Sequence, residues 1–404
     1  MPRSKHRTDS ETNLLLDSDS TRPDAQSFLQ PGDRISLRID DIAFGGEGVG
    51  HHQGIVVFVP FVAIGENVEL EVTEVKKSFA RGRLLEIRDP SSERTTPRCP
   101  HFTACGGCQY QHLSYPVQLS TKRKQLIDLF KRIGGFANPP IEAPIPSPTP
   151  YGYRNRILVR TQYSKRTQRM SVGFLRHDNR LVVDVDHCHI AEPALNEQLQ
   201  TVRQDPPRKN GIKFNLRMMP DDWVLPPDSF FQVNYHLLPE MVATVRRLLS
   251  DSGSTHLLDL YCGAGFFCLE VGDLVERFTG VEIDKKAIQA ARENAIQRDR
   301  INGEFIASPA EEAIGQVIHQ YEATQTSVIL DPPRRGCALD LLHTLKTHRP
   351  HQIIYLSCHP ATLCRDLAEL CHRGPYQLVS VTPLDMFPQT KHVECACDLR
   401  IAAV

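Results

Sequence analysis

Residues 352–366 read QIIYLSCHPATLCRD. Ile353, Ile354, Tyr355 and Leu356 form a short apolar run, the pattern of a buried strand. The run stops at Ser357-Cys358-His359-Pro360. A proline restricts the residue before it to extended backbone and can open a helix at its first turn. The spacing therefore predicts a strand, then Cys358 at the strand's carboxyl end, then a helix. In an open α/β sheet that edge is where ligands bind, and a helix N-terminus favours a thiolate. A buried cysteine is usually a small hydrophobe, but this position points to a nucleophile.

Outward from this stretch, strand and helix patterns alternate from about residue 252. Strands are expected at 255–260, 277–283, 303–307 and 327–330 before it, and at 377–381 and 394–401 after it. A helix is expected at 285–298. Such alternation predicts a mostly parallel, doubly wound sheet. The first strand runs into Tyr261-Cys262-Gly263-Ala264-Gly265, where glycines let backbone approach a ligand. The third glycine of a dinucleotide fingerprint is absent, since Cys268 stands there. Glu282 follows about twenty residues on, where an acid can bond ribose hydroxyls. The pair suits an adenosyl ligand. The fourth strand ends in Asp331-Pro332-Pro333-Arg334-Arg335-Gly336, a carboxylate held in the cleft. DMFPQTKHVE (385–394) enters the last strand, and DSFFQVN (228–234) sets Gln232 beside two aromatics.

The 404 residues suffice for two or three domains. Hydrophobic content of 40% and charged content of 24% describe a soluble globular chain. No apolar run suits a membrane span, and no secretory signal opens the chain, so the cytoplasm is the expected location. Twelve cysteines are then read as ligands, nucleophiles or core thiols rather than disulfides. A net charge of −1 requires any basic surface to be local. Residues 1–30 are polar and are expected to form a disordered tail.

Strands expected at 34–39, 54–59, 67–74 and 79–87, with a glycine-rich loop between the first two, suggest a small barrel of the OB type. Cys99, Cys105 and Cys108 follow with the spacing C-x5-C-x2-C. Soft thiolates select zinc or an iron–sulfur cluster. His101 or His112 could complete a zinc site, and Cys188 is the better fourth candidate. Residues 121–134 predict a helix whose basic face meets either phosphate or solvent. In 151–163, Arg154, Arg156 and Arg160 with Tyr153 and Tyr163 suit phosphate contact and base stacking.

The words GGEGVG, GIVVFVPFVAIGE and KKSFARGRL resemble a TRAM domain, an RNA-binding module found beside RNA-modifying enzymes. DSFFQVN, LDLYCGAGFF, GVEID, LDPPRRG, LSCHPATLCRDL and DMFPQTKHVE resemble the motif series of the SAM-dependent RNA uracil-5-methyltransferases. The resemblance runs from the barrel to Val404. It implies a TRAM-like barrel over 31–92, a central α+β domain with an iron–sulfur site and RNA-contacting strands over 93–225, and a Rossmann-like class I SAM methyltransferase domain over 226–404. It implies Cys358 as nucleophile and Glu394 as general base. It implies S-adenosyl-L-methionine (SAM) contacts at Gln232, Tyr261, Gly263, Gly265, Glu282 and Asp331, with Asp331 equally able to orient the uracil or the nucleophile. It also implies a [4Fe-4S] cluster on Cys99, Cys105, Cys108 and Cys188. Phe266, Pro309 and His359 depart from the family's usual residues.

The implied reaction makes sense of the residue types. C5 of uracil is a poor nucleophile until a thiolate adds at C6, and a base must then remove the C5 proton. The target base must leave its stack. The barrel-plus-cluster layout is most similar to members acting on 23S rRNA, since the tRNA member typically lacks both. A tRNA uridine is the alternative substrate. A non-catalytic RNA-binding or ribosome-assembly role is the alternative of another class, against which the intact Cys358 and Glu394 argue. A monomer without an obligate protein partner or membrane contact is expected.

Overall fold

The computed structural model describes residues 29–165, 168–207 and 209–402. The expected tail lies outside the described residues except for Leu29 and Gln30, and Leu29 is buried in the barrel core. No helix among the described residues is long and apolar enough to cross a membrane.

The first unit has strands β1 (Arg34–Arg38), β2 (Asp41–Ile42), β3 (Glu47–His52), β4 (Ile55–Pro60), β5 (Asn67–Val75) and β6 (Phe79–Asp89). They pair in the order β1-β5-β6-β4-β3-β2. The Asp40 N–H donates to the Val49 carbonyl at 2.8 Å and draws the two ends together. The glycine-rich stretch expected as a loop supplies β2 and β3. Gly48 and Gly50 serve close packing there, because a Cβ would lie 2.2 Å from the Val62 side chain or from the Arg38 carbonyl, respectively.

The central unit holds α1 (Tyr115–Arg132), β7 (Arg156–Ser164), β8 (Arg169–Leu175), β9 (Val182–Asp184), α2 (Pro193–Gln204) and β10 (Lys213–Arg217). Its antiparallel sheet, ordered β10-β7-β8-β9, packs Ile157, Val159 and Val172 against Leu195 and Leu199 of α2. Helix α1 keeps part of the expected basic face, with Lys124, Lys131 and Arg132 exposed, and departs from it at Lys122. Lys122 is fully buried and donates to Asp385 at 2.6 Å. Lys124 pairs with Asp41 and Asp128, and Arg123 donates to the Ile141 and Glu142 carbonyls. Removing one member of a buried ion pair strands the other charge and costs about 3–5 kcal/mol, so Lys122 is a structural tie. Tyr153, expected for stacking, is also fully buried and donates to the Pro388 carbonyl.

The third unit runs α3 (Leu238–Ser250), β11 (His256–Leu260), α4 (Phe266–Val271), β12 (Arg277–Glu282), α5 (Lys285–Gln297), β13 (Gly303–Ala307), α6 (Ala310–Val317), β14 (Thr326–Leu330), α7 (Leu339–His348), β15 (Gln352–Ser357), α8 (Pro360–Cys371), β16 (Tyr376–Leu384) and β17 (Glu394–Ile401). Sheet order is β13-β12-β11-β14-β15-β17-β16. The first five strands are parallel, and β17 is antiparallel to both neighbours. Period-two alternation builds two cores. Leu258, Leu260, Ile353, Tyr355, Cys395 and Cys397 pack with α1, α6, α7 and α8. Leu257, Ile329, Ile354, Leu356 and Ala396 pack with α3, α4 and α5. The proline-rich 138–150 segment, expected as a linker, lies along the outer edge of β16 through parallel bridges Ile141–Val381 and Ile145–Leu384. Edge placement tolerates its prolines.

Candidate active site

The strands expected to carry the methyl-transfer residues meet at one edge of this sheet: β11, β12, β14 and β15 end there and β17 begins there. Strand β15 stops at Ser357, and Pro360 opens α8. The Ser357 hydroxyl accepts from the His359 N–H at 3.1 Å, and the His359 ring accepts from the Thr362 N–H, which caps the helix. His359 thus fills the departed position as a cap. The Thr362 hydroxyl donates to the Arg334 carbonyl at 3.0 Å, tying the Cys358 turn to the turn after β14. Below it, the buried Asp366 accepts from the Cys337 N–H at 2.9 Å and the Tyr355 hydroxyl at 2.6 Å. Gly336 is needed there: its φ is +76°, and a Cβ would lie 2.4 Å from the Asp366 carboxylate.

The antiparallel ladder between β15 and β17 pairs Leu356 with Ala396 and Ser357 with Cys395. Carried one residue further, that register sets Cys358 opposite Glu394. Burial, with the Glu394 carboxylate next in importance, pushes the Cys358 thiol up to about 12. Arg334, within hydrogen-bonding reach of the thiol, pulls the other way, and Asp331 adds to the upward push. Glu394 is itself buried and raised well above the usual carboxylate range by burial and then by Asp331. Asp331 is raised by burial and by Asp259. Burial and the two neighbouring carboxyls therefore work against the preference of a helix N-terminus for a thiolate. Three acids that resist ionising together make a site that welcomes a cation.

The adenosyl side lies one strand over. Tyr261 holds φ +70°, and both its N–H and that of Cys262 donate to the Val281 carbonyl. Gly263, at φ +56°, has open space where a Cβ would stand. Its N–H donates to one Glu282 oxygen at 3.2 Å, and the Asp284 N–H donates to the other at 2.9 Å. Gly265 caps α4 at φ +85°. Gln232 is buried, with its carbonyl accepting from Asn155 at 2.8 Å. Phe266 packs inward, 5.3 Å from the rings of both Trp223 and Phe231, and leaves the glycine loop open. Pro309 caps α6, while the Ser308 N–H donates to the Glu282 carbonyl. A cavity of about 240 Å³ opens between 226–229 and the Asp284–Lys286 turn.

Sequence reasoning missed three residues. Arg334 is a cation within hydrogen-bonding reach of Cys358. Asp259 is wholly buried with one carboxylate oxygen unpartnered among the described residues, and burial pushes it up to about 7. Ile283 is two-thirds exposed beside Glu282, an apolar surface next to the ribose acid. The dyad Glu282-Ile283 and the run of arginines after Asp331 were the available signals.

Among the described residues, the four cysteines of the second group come together at one cavity, without the arrangement of a metal site. Cys99, Cys105, Cys108 and Cys188 line one cavity of about 200 Å³, with His101, His187 and His189. Burial pushes Cys105 up to about 11 and Cys108 up to about 12, and neighbouring thiols of the set add to this. His112 is not of the set: it is buried, with its Nε2 hydrogen-bonded to the Val62 carbonyl at 2.9 Å. His101 instead faces Asp186 at 3.4 Å. Among the described residues no group of three or more His, Cys, Asp or Glu is arranged to hold a metal ion. The thiols stand around the walls of their cavity.

Known proteins agree with this architecture. Residues 220–401 match the model of the tRNA (uracil-5-)-methyltransferase family, and residues 29–85 match the TRAM domain. An RNA methyltransferase of Thermosynechococcus vestitus is 31% identical, the alignment covering 91% of this chain and 98% of that protein. The 23S rRNA (uracil(1939)-C(5))-methyltransferase RlmD of Methylococcus capsulatus is 30% identical, covering 90% and 96%. The fold matches the crystal structure of the Pyrococcus abyssi tRNA (uracil-54, C5)-methyltransferase, bound to S-adenosyl-L-homocysteine, with a TM-score of 0.68 and 24% identity over 90% of this chain and all of that one. With its TRAM barrel, its seven-stranded α/β sheet and full-length relatives of this kind, the chain belongs to the SAM-dependent RNA uracil-5-methyltransferases.

Proposed function

We propose that this protein methylates C5 of a uridine in 23S rRNA through a covalent adduct between Cys358 and C6 of the uracil. The observation that supports the reading is the β15–β17 ladder, whose last pair, Ser357 with Cys395, leaves Cys358 and Glu394 as the next residues on the two strands. SAM would be held along Gln232, Tyr261, Gly263, Gly265, Glu282 and Asp331. Bound there it would supply the methyl group and a positive charge, and a cation near Cys358, Glu394 and Asp331 lowers the pKa of each. The Cys358 thiolate adds to C6, so C5 becomes enolate-like and takes the methyl group, leaving S-adenosyl-L-homocysteine. The Glu394 carboxylate removes the C5 proton, the C6–S bond breaks and the thiolate is restored. Asp331 keeps the reacting groups oriented.

The RNA would enter with its uridine unpaired or flipped. Arg156, Arg160 and Tyr163 on β7 and the barrel would hold the flanking strand. The 23S rRNA assignment rests on relatives named RlmD. Fold alone does not separate the substrates: the tRNA enzyme of Pyrococcus abyssi aligns over 90% of this chain. The four thiols fit a [4Fe-4S] cluster, because a cubane spreads its cysteines around it where a single ion would gather them. Bound there, it would cross-link the 99–108 loop to Cys188 and take no part in methyl transfer.

Incubation with labelled SAM and either 23S rRNA or tRNA tests the proposal. Label in 5-methyluridine of 23S rRNA is expected, and Glu394→Gln is expected to accumulate a denaturation-stable protein–RNA adduct. Label in tRNA alone would reassign the substrate. Absence of methyl transfer to any uridine would overturn the catalytic reading, and wild-type turnover by Glu394→Gln would remove Glu394 as the base.

A further inference from the structure

The loop between β16 and β17 delivers Glu394, and its anchors come from the central unit. At its centre Gln389 holds φ +67°, a left-handed backbone that a residue with a Cβ rarely adopts. It is kept there by its partners. The Gln389 N–H donates to the Gln118 side-chain oxygen at 3.0 Å. The Gln118 amide donates back to the Gln389 side-chain oxygen at 2.9 Å. The Gln389 carbonyl accepts from the N–H groups of Gln109 and Tyr110 at 2.9 and 3.0 Å. Both glutamines are almost fully buried, at 1% and 2% exposure. Strained backbone persists only where its surroundings over-determine it, and it concentrates at functional sites. Lys122 holds Asp385 and the Phe387 carbonyl on one side of the turn, Tyr153 holds the Pro388 carbonyl, and Gln109 holds the Lys391 N–H on the other, so Gln118 is the side chain that fixes the Gln389 backbone N–H between them.

We propose that Gln118 is a positioning residue for methyl transfer: by enforcing the left-handed turn at Gln389 it aims Glu394 at the reacting uracil. The inference rests on Glu394 being the base. Without Gln118 the turn relaxes, and the carboxylate leaves the line of Cys358 while the SAM loop, built on other strands, is untouched.

Gln118→Ala should lower kcat by about 30-fold, the scale of a misplacement near one ångström. Its affinity for S-adenosyl-L-homocysteine and its KM for RNA should stay within about twofold, and the covalent adduct should accumulate. Gln389→Gly in that background should recover about tenfold, because glycine takes the left-handed backbone without strain. Gln389→Ala, which keeps Gln118 but loses the side-chain bond, should show the same kcat-only loss and serves if Gln118→Ala fails to fold. Unchanged kcat in both single variants, or cofactor affinity lost in step with kcat, would overturn the proposal. Adduct in Glu394→Gln but none in Gln118→Ala would overturn the anchor alone. Wild-type turnover by Glu394→Gln would instead overturn the base on which it rests.

Discussion

The four thiols of the central unit and the single thiol of the cleft are alike in burial and opposite in company. Around Cys99, Cys105, Cys108 and Cys188 the thiols raise one another, and the neighbouring histidines are aromatic walls as much as charges. Hydrogen bonds to each thiol favour the thiolate but are outweighed by burial, and a group that brings its own positive charge would tip the balance for all four. Around Cys358 stand one guanidinium and two carboxyls. There burial and the two carboxyls push the thiol up, and the guanidinium pulls the other way. The same side chain at similar depth thus meets other thiols in one place and charged groups in the other, and the neighbours make the difference to the chemistry proposed for each.

Exchanging single cysteines is the strongest way to break this contrast. Cys358→Ala should abolish methyl transfer, by about 10⁴-fold or more, while keeping the thermal midpoint. Cys108→Ala should lower the midpoint by about 5 °C or more. After anaerobic purification the wild type and Cys358→Ala should absorb broadly near about 400 nm, and Cys108→Ala should not. A colourless wild type carrying stoichiometric zinc would break the cluster half of the comparison.

Arg334 sharpens the other half. Arg334→Met should slow alkylation of Cys358 and reduce kcat by about 30-fold, near 2 kcal/mol, with the alkylation profile moved to higher pH. An unchanged profile, followed by mass spectrometry of the Cys358 peptide, would remove Arg334 from thiolate control.

The smallest effect belongs to Asp259, an acid raised by burial without a cation beside it. Its pKa is raised from 3.8 to about 7 in the fold, so its contribution to stability is whole below about pH 4 and is lost as pH rises through about 7. Asp259→Asn keeps an acceptor for the Cys268 N–H. It should gain about 1–2 kcal/mol over wild type at pH 8 and nothing near pH 4. Denaturant melts at the two pH values measure it, and an equal gain at both would assign the effect to packing.

Local chemistry made much of this molecule legible. The apolar run before Cys358, the proline after it, the glycines after β11 and the acid ending β12 are short-range signals, and each landed within a residue or two of its element. Glycine misled where it served contact instead of turning: Gly48 and Gly50 were read as loop but lie in β3, because neighbouring strands leave no room for a Cβ. Helix α1 misled in the same way. Its lysines read as a basic face, and Lys122 proved to be a buried tie to Asp385, 263 positions along the chain.

By itself the sequence determined which residue types could do the chemistry and on which strand ends they would sit, since period and turn propensity act over a few residues. Tertiary structure alone decided what each of them meets. The antiparallel insertion of β17 between β15 and β16 sets Glu394 against Cys358. Burial reverses the charge preference expected at a helix N-terminus. The central unit grips the Gln389 turn from outside the sheet. Pairing across long separations, desolvation and the satisfaction of buried hydrogen bonds are properties of the packed chain, and no local pattern encodes them.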